Sequence, residues 1–104
     1  MIYEMRTYDL RPRMLAEMME RFGEAYEKRR KFSELAAFWY TEIGPLNQVV
    51  HVWPYRSLDQ RTDVRRQAIA SGSWPPSTGA GDAGYSMVAQ ETKIMLAAPF
   101  SPLR

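Results

Sequence analysis

The sequence predicts an α+β domain with ferredoxin-like βαββαβ topology, in which a four-stranded antiparallel sheet carries both helices on one face. Three observations lead to this fold class. The chain has 104 residues, which is the size of one domain. Its segments with strand and helix patterns follow one another in the order βαββαβ. The strand-like segments are apolar on both faces. We therefore expect a single domain over residues 1–104.

The first half of the chain supplies a strand, a helix and a hairpin. Alternating side chains predict the first strand over Ile2–Tyr8. Apolar residues that recur every three or four positions predict a helix from about Pro12 to Arg30. Two aromatic and β-branched runs, Leu35–Thr41 and Asn47–Trp53, are separated by Gly44-Pro45, which is typical of a β-hairpin.

A second helix follows the hairpin and carries two inward-facing arginines. Ser57 and Gln60 match the capping-box pattern that begins many helices. On the helical wheel of this segment, Arg61 and Arg65 fall within the apolar arc. Their long stems allow them to reach past the core or to pair with an acid on the sheet. The alternative is an anion-binding pair, because guanidinium geometry suits carboxylate and phosphate.

The last third of the chain combines a loop with a final strand. Glycines and prolines predict a loop over residues 71–84, which is either disordered or a lid, with Trp74 able to anchor its start. Residues 85–96 predict the fourth strand, and residues 97–104 an extended tail.

The order of elements predicts a homodimer. Right-handed crossovers place the first and third strands in the centre of the sheet and leave one face without helices. That face carries large apolar residues as well, and a sheet that is apolar on both faces needs a cover on both. The economical cover is a second copy, with the open faces of two sheets meeting to form a shared barrel.

Composition excludes several classes of function. The chain has no cysteine, which removes disulfides, thiolate nucleophiles and Cys-ligated metals. With one histidine besides, we expect no metal site. The net charge of +2 is spread over interleaved acids and bases, so we expect no nucleic-acid partner. Without a membrane-length apolar run or a signal-like N-terminus, we expect a soluble cytoplasmic protein.

The candidate site centres on His51, the only histidine. Its side chain titrates near neutrality, so it is the best candidate for a catalytic base or a haem ligand, although a lone histidine between valines is also a common structural residue. Polar residues in central strands need partners or water, which predicts either a buried network around Glu4 or a ligand pocket. The predicted ligand-binding residues are Arg6, Tyr8, Trp39, Asn47, His51, Trp53 and Arg61.

The hairpin register decides which aromatic residues accompany His51. If the residue numbers of two residues that lie opposite each other in the hairpin add up to an odd number, Phe38 and Tyr40 share the face of His51. If the sum is even, Trp39 and Thr41 do so instead. A one-residue bulge inverts the parity, and the sequence leaves both alternatives open.

Three stretches of the chain resemble the NIPSNAP family, within the dimeric α+β barrel superfamily. They are YEMRTY in the first strand, FWYTEIGPLNQVVHVWPYRSLDQR from the hairpin into the second helix, and AQETKIML with PFSPL near the end. The chain departs from the family at Arg13, where members commonly have glycine, and at Pro75-Pro76, where they tend to continue as a helix. The resemblance implies the fold and dimerisation and carries over no catalytic residue.

Three hypotheses for function follow. The first is a protein, with or without enzymatic activity, that binds a small organic molecule between sheet and helices or inside the dimer barrel. The second is a homodimeric interaction module without catalysis. The third is suggested by relatives elsewhere in the superfamily, which include cofactor-independent monooxygenases and haem-degrading enzymes: a cofactor-free oxygenase or a haem-binding protein. We expect no bound cofactor, with haem as the alternative that His51 leaves open.

Overall fold

The computed structural model describes residues 1–72, 74–76 and 86–104, and its elements follow the predicted order. The sheet order is β2-β3-β1-β4, and every neighbouring pair of strands is antiparallel. This arrangement confirms the ferredoxin-like α+β fold, with the first and third strands in the centre. The elements are β1 (Ile2–Leu10), α1 (Leu15–Arg29), β2 (Ala37–Tyr40), β3 (Gln48–Tyr55), α2 (Leu58–Ala70) and β4 (Met87–Met95).

Several element boundaries differ from those predicted. Helix α1 begins at Leu15 and not near Pro12, because Arg13 takes the left-handed backbone conformation with φ of 71°. Strand β3 continues two residues beyond Trp53, to Tyr55. The tail after β4 is not extended throughout, because Ser101 donates its backbone N–H to the Ala98 carbonyl at 2.9 Å and closes a turn.

The predicted loop over residues 71–84 lies largely outside the described residues. Its described part includes Trp74, which is buried against Phe22 and Trp53, with ring centroids 5.5 Å apart in both pairs. Trp74 therefore anchors the segment that follows α2 onto the core.

The register of the sheet determines which hairpin residues share a face with His51, a choice that the sequence left open. In the central pair, Arg6 lies opposite His51 and Glu4 lies opposite Trp53. In the hairpin, Phe38 lies opposite His51, so opposed positions sum to an odd number. Phe38 consequently shares the face of His51, and Trp39 projects from the other face.

The core lies between the helices and this face of the sheet. Helix α1 contributes Met18 and Phe22 to it, and α2 contributes Val64 and Ala68. Ser57 caps α2 as predicted, since its hydroxyl accepts the backbone N–H of Gln60 at 3.1 Å, while the Gln60 side chain accepts the backbone N–H of Arg56 and not that of Ser57. Charged and polar groups are fully buried beside large apolar ones: Trp53, Arg29, Tyr55, Met18, His51, Glu4, Val49 and Ser86.

The opposite face of the sheet carries apolar side chains, and neither of the two helices in the described ranges covers it. It presents Met5 on β1, Val52 on β3 and the 59% exposed Trp39 on β2. Residues of the C-terminal tail, including Leu96 and Leu103, line the same surface. Within the described ranges, neither helix is long and apolar enough to cross a membrane.

Candidate functional site

A buried carboxylate organises the polar part of the site. Glu4 is fully buried in β1, yet it forms ion pairs with arginines from two elements. Its Oε1 lies 3.5 Å from Nη1 of Arg6 and 3.7 Å from Nη1 of Arg65, and its Oε2 accepts Nε–H of Arg61. The inward arginines of α2 thus pair with an acid on the sheet, as one of the two alternatives predicted.

The pairing leaves an excess of positive charge. Three guanidinium groups share one carboxylate, and their side chains keep 13% (Arg6), 25% (Arg61) and 26% (Arg65) of their surface exposed. Burial opposes the charge of Arg6, but the Tyr8 hydroxyl and Glu4 outweigh burial and raise its pKa above the usual value. Because guanidinium groups stay ionised, the cluster is a cationic surface that water and small solutes can reach.

His51 lies opposite Arg6 and is completely buried. Its Nδ1 accepts the indole N–H of Trp53 at 2.7 Å, while its Nε2 has no hydrogen-bond partner among the residues that the structure describes. An indole nitrogen only donates, so Nδ1 must be the unprotonated nitrogen and the neutral ring carries its proton on Nε2. His51 is therefore a buried N–H donor without an acceptor.

Aromatic rings enclose this imidazole. Phe38 stacks on it with centroids 5.0 Å apart and an angle of 18° between planes. Tyr8 meets it edge-on at 4.8 Å, and Phe22 lies at 5.6 Å. Burial, with the nearby charges of Arg6, Arg29 and Arg65, lowers the pKa of His51 to about 3. The ring is neutral at physiological pH and carries its proton on Nε2.

A buried arginine, Arg29, packs against the ring of Trp53. The guanidinium carbon of Arg29 lies 3.7 Å from the ring centroid of Trp53 and 4.6 Å from that of Trp74. Its Nη2 donates to the Tyr55 hydroxyl at 2.8 Å, and within the described ranges its Nε and Nη1 have no hydrogen-bond partner. Burial lowers the pKa of Arg29, an effect that the Tyr55 hydroxyl partly offsets. The Arg29 guanidinium therefore lies against the rings of Trp53 and Trp74 and not against a carboxylate, which is the arrangement of a cation–π contact.

The structure brings together five of the seven predicted ligand-binding residues. Arg6, Tyr8, His51, Trp53 and Arg61 lie on or above the helix side of the two central strands.

The other two predicted residues lie elsewhere. Trp39 is on the opposite face because of the hairpin register. Asn47 ends the hairpin turn with φ of 59°, and its backbone carbonyl accepts the Leu10 N–H at 2.7 Å. It lies about 13 Å along the strand from His51, at the usual rise per residue.

Sequence reasoning missed two members of the site. Arg29 lies in the last turn of α1, where a basic residue complements the helix dipole, and only the contact with Trp53 reveals its second role. Phe38 could not be assigned to the site from sequence, because the hairpin register was undecided. A cationic residue on the same helical face as Phe22, seven positions later, was the available signal for Arg29.

The geometry offers little room for haem on His51. Its Nε2 has no exposed surface, and a porphyrin would have to displace the Phe38, Tyr8 or Phe22 ring. The part of the chain that the structure describes also contains no group of three His, Asp or Glu side chains able to hold a metal ion. What the site presents is a set of hydrogen-bond donors, cationic at one side and aromatic at the other.

Fold and site together define a ferredoxin-like α+β protein with a buried His–Trp pair and a cationic cluster on the helix side of its sheet. The sequence profile of the NIPSNAP family matches residues 3–102. The chain belongs to the NIPSNAP family.

Solved structures of related bacterial proteins support the assignment. A NIPSNAP family protein with unknown function from Agrobacterium tumefaciens is 34% identical and superposes with a TM-score of 0.86. The match covers 100% of this chain and 94% of that protein. An uncharacterized NIPSNAP domain protein from Burkholderia xenovorans is 25% identical with a TM-score of 0.82, over 98% of this chain and 99% of its own. An antibiotic biosynthesis monooxygenase shares the fold alone, at 11% identity and a TM-score of 0.65.

Curated relatives are longer than the matched region. Protein NipSnap homolog of Dictyostelium discoideum is 32% identical over 89% of this chain and 42% of its own length. Human Protein NipSnap homolog 3A is 36% identical over 69% of this chain and 30% of its own length. The chain thus spans less than half of these relatives.

Proposed function

We propose that this chain binds a small organic anion on the helix side of its sheet, at the cluster formed by Arg6, Arg61 and Arg65. The observation that carries the proposal is the charge of this cluster, in which one buried carboxylate is shared by three arginines. A carboxylate or similar anion would offset the remaining charge and accept the N–H groups that Glu4 leaves free.

The surroundings favour an organic anion over a simple inorganic one. Arg61 and Arg65 also line an open cavity of about 470 Å³ beside α2, together with the apolar side chains of Ile69 and Ala70. A ligand can therefore reach the guanidinium groups from solvent and place an apolar body against the helix.

Benzoate and its neutral analogue benzamide test the proposal. We expect benzoate to raise the melting temperature saturably, because a ligand that binds only the folded state stabilises it, and benzamide to do so much less. Arg65→Ala should weaken the benzoate effect. Arg56→Ala, which removes the same charge from an exposed position ahead of α2, should leave it intact. An equal loss in both variants, or an effect matched by sodium chloride at the same ionic strength, would show general screening and refute the site.

A second candidate function is homodimeric association through the open face of the sheet. Its supporting observation is apolar exposure: Trp39 is 59% exposed, Leu96 76% and Leu103 57%. Apolar surface of this kind is typical of protein interfaces, and two open faces are self-complementary under two-fold symmetry.

Light scattering after size exclusion tests this association. We expect the mass of a dimer for the wild type and of a monomer for Trp39→Glu, which would bury a charge between the sheets. Tyr40→Glu is the matched control, since Tyr40 is 49% exposed on the opposite face of the same strand. A monomeric wild type at micromolar concentration, or a dimer that Trp39→Glu leaves intact, would refute the interface.

A further inference from the structure

We propose a second binding site, separate from the arginine cluster, for a neutral single-ring aromatic or similarly sized apolar molecule. It is a cavity of about 190 Å³ between α1 and the hairpin. Phe22 and Trp74 are buried in its wall, and Gly23 is exposed at its edge. The remaining lining residues are half-buried: Met19, Tyr26, Leu35 and Phe38.

The size and lining of this cavity set the class of ligand. An apolar protein cavity of about 150 Å³ stays dry and binds benzene, so the volume here suffices for one ring with a small substituent. Four of its seven lining residues are aromatic, and the others are Met19, Leu35 and Gly23. None of these side chains carries a charge, which disfavours an ionic ligand and separates this site from the arginine cluster.

Gly23 keeps the cavity open. It lies in the interior of α1, where glycine is less favourable than any residue except proline. The fold does not require glycine there, because its φ is not positive and an added Cβ would meet nothing within 4 Å. The effect of the missing side chain is to leave space beside Phe22 and Tyr26 on the same helix.

Contacts between the lining residues and with the core behind them hold the walls of the cavity in place. The Tyr26 hydroxyl accepts the backbone N–H of Leu35 at 3.1 Å, which ties α1 to the start of the hairpin. Phe38 stacks on His51, and Trp74 packs on the Arg29 guanidinium. A ligand therefore meets a preorganised pocket and loses little affinity to side-chain ordering.

Toluene serves as the probe, because it is neutral and cannot bind through the arginines. Titration is followed by the methyl NMR signals of Met19 and Leu35, which line the cavity, with Met1 as a distant reference. We expect saturable shifts in the wild type. Gly23→Leu should fill the opening and weaken toluene binding about tenfold or more. Leu35→Trp fills the cavity from the opposite wall and should have the same effect.

Glu20→Leu is the matched control, since it adds the same side chain to an exposed position of α1 outside the cavity. It should leave the affinity for toluene unchanged. Far-UV circular dichroism verifies that each variant is folded. Absence of saturable shifts in the wild type up to the solubility of toluene would overturn the proposal, and so would equal affinity in the wild type, Gly23→Leu and Leu35→Trp. Benzoate stabilisation that persists in Gly23→Leu keeps the two sites distinguishable.

Discussion

Trp53 donates its indole N–H to Nδ1 of His51 at 2.7 Å, and this bond fixes the tautomer of the imidazole. The acceptor nitrogen is occupied and the other carries the proton, so the ring is poorly arranged to act as a general base. It is arranged to donate one hydrogen bond from Nε2. The sole histidine is therefore a buried member of the aromatic core whose Nδ1 is held by Trp53.

His51 should remain neutral far below the ordinary pKa of histidine. Burial, followed by the charges of Arg6, Arg29 and Arg65, lowers its pKa from 6.5 to about 3. In ¹⁵N NMR spectra we expect the Nε2–H tautomer with no change of protonation between about pH 7 and pH 5, where an unperturbed histidine titrates. A midpoint near 6.5 would contradict the buried, donor-only description.

The same shift makes stability depend on pH. Unfolded His51 binds a proton below about pH 6.5, whereas the folded ring does so only near pH 3. The unfolded state therefore binds more protons between these values, and stability is lost as pH falls through that window. From pH 7 to pH 4 the loss is on the order of 3 kcal/mol. Urea unfolding should show a smaller loss in His51→Asn, which keeps an acceptor for Trp53 and does not titrate.

Removing the Glu4 charge should destabilise the protein strongly. Glu4→Gln leaves Arg6, Arg61 and Arg65 without their shared counter-ion, which costs about 2–3 kcal/mol because the arginines are only partly exposed. Glu17→Gln breaks an exposed ion pair with Arg21 and should change stability by about 0.5 kcal/mol or less. Urea denaturation measures both. Equal effects would mean that Glu4 does not organise the cluster.

The fold could be predicted because each element is encoded locally. Alternation in β1, the capping box at Ser57 and the hairpin punctuation at Gly44-Pro45 each depend on a few neighbouring residues. The βαββαβ order then leaves few topologies, since crossover handedness fixes the strand order. Local rules failed at the start of α1, where proline at position 12 suits a first helical turn but Arg13 takes a positive φ.

The candidate site was predictable only in part, because its geometry depends on tertiary register. Alternation placed Glu4, Arg6 and Tyr8 on one face of β1, which the structure confirms. The choice between Phe38 and Trp39 depended on the pairing parity of the hairpin, which no local pattern encodes. Arg29 reaches Trp53 across the core, a contact between distant segments that periodicity does not reveal.

Replacing Arg29 with lysine should destabilise the protein, although the substitution conserves the charge. A planar guanidinium packs against both Trp53 and Trp74 and still donates to Tyr55, whereas a compact ammonium group cannot make all three contacts. We expect Arg29→Lys to cost about 1–3 kcal/mol in urea unfolding, followed by tryptophan fluorescence. Arg30→Lys, the same change at the exposed neighbour, should cost about 0.5 kcal/mol or less. Similar losses in both variants would contradict the stacking role.

Arg13 is a site where a smaller residue should stabilise the fold. Its φ of 71° is a left-handed conformation that costs an ordinary L-residue about 1–2 kcal/mol. Arg13→Gly removes this strain, while the added freedom of the unfolded chain offsets about 0.5–1 kcal/mol.

The net gain from Arg13→Gly should be up to about 1 kcal/mol, seen as a higher urea midpoint with an unchanged slope. Asn47→Gly is the matched control, because Asn47 has a similar φ of 59° but asparagine tolerates it at little cost. We therefore expect no gain there, since the entropy of the unfolded chain outweighs the small relief of strain. If Arg13→Gly lowers the midpoint as Asn47→Gly does, strain at Arg13 does not limit stability, and contacts of its side chain must account for the residue.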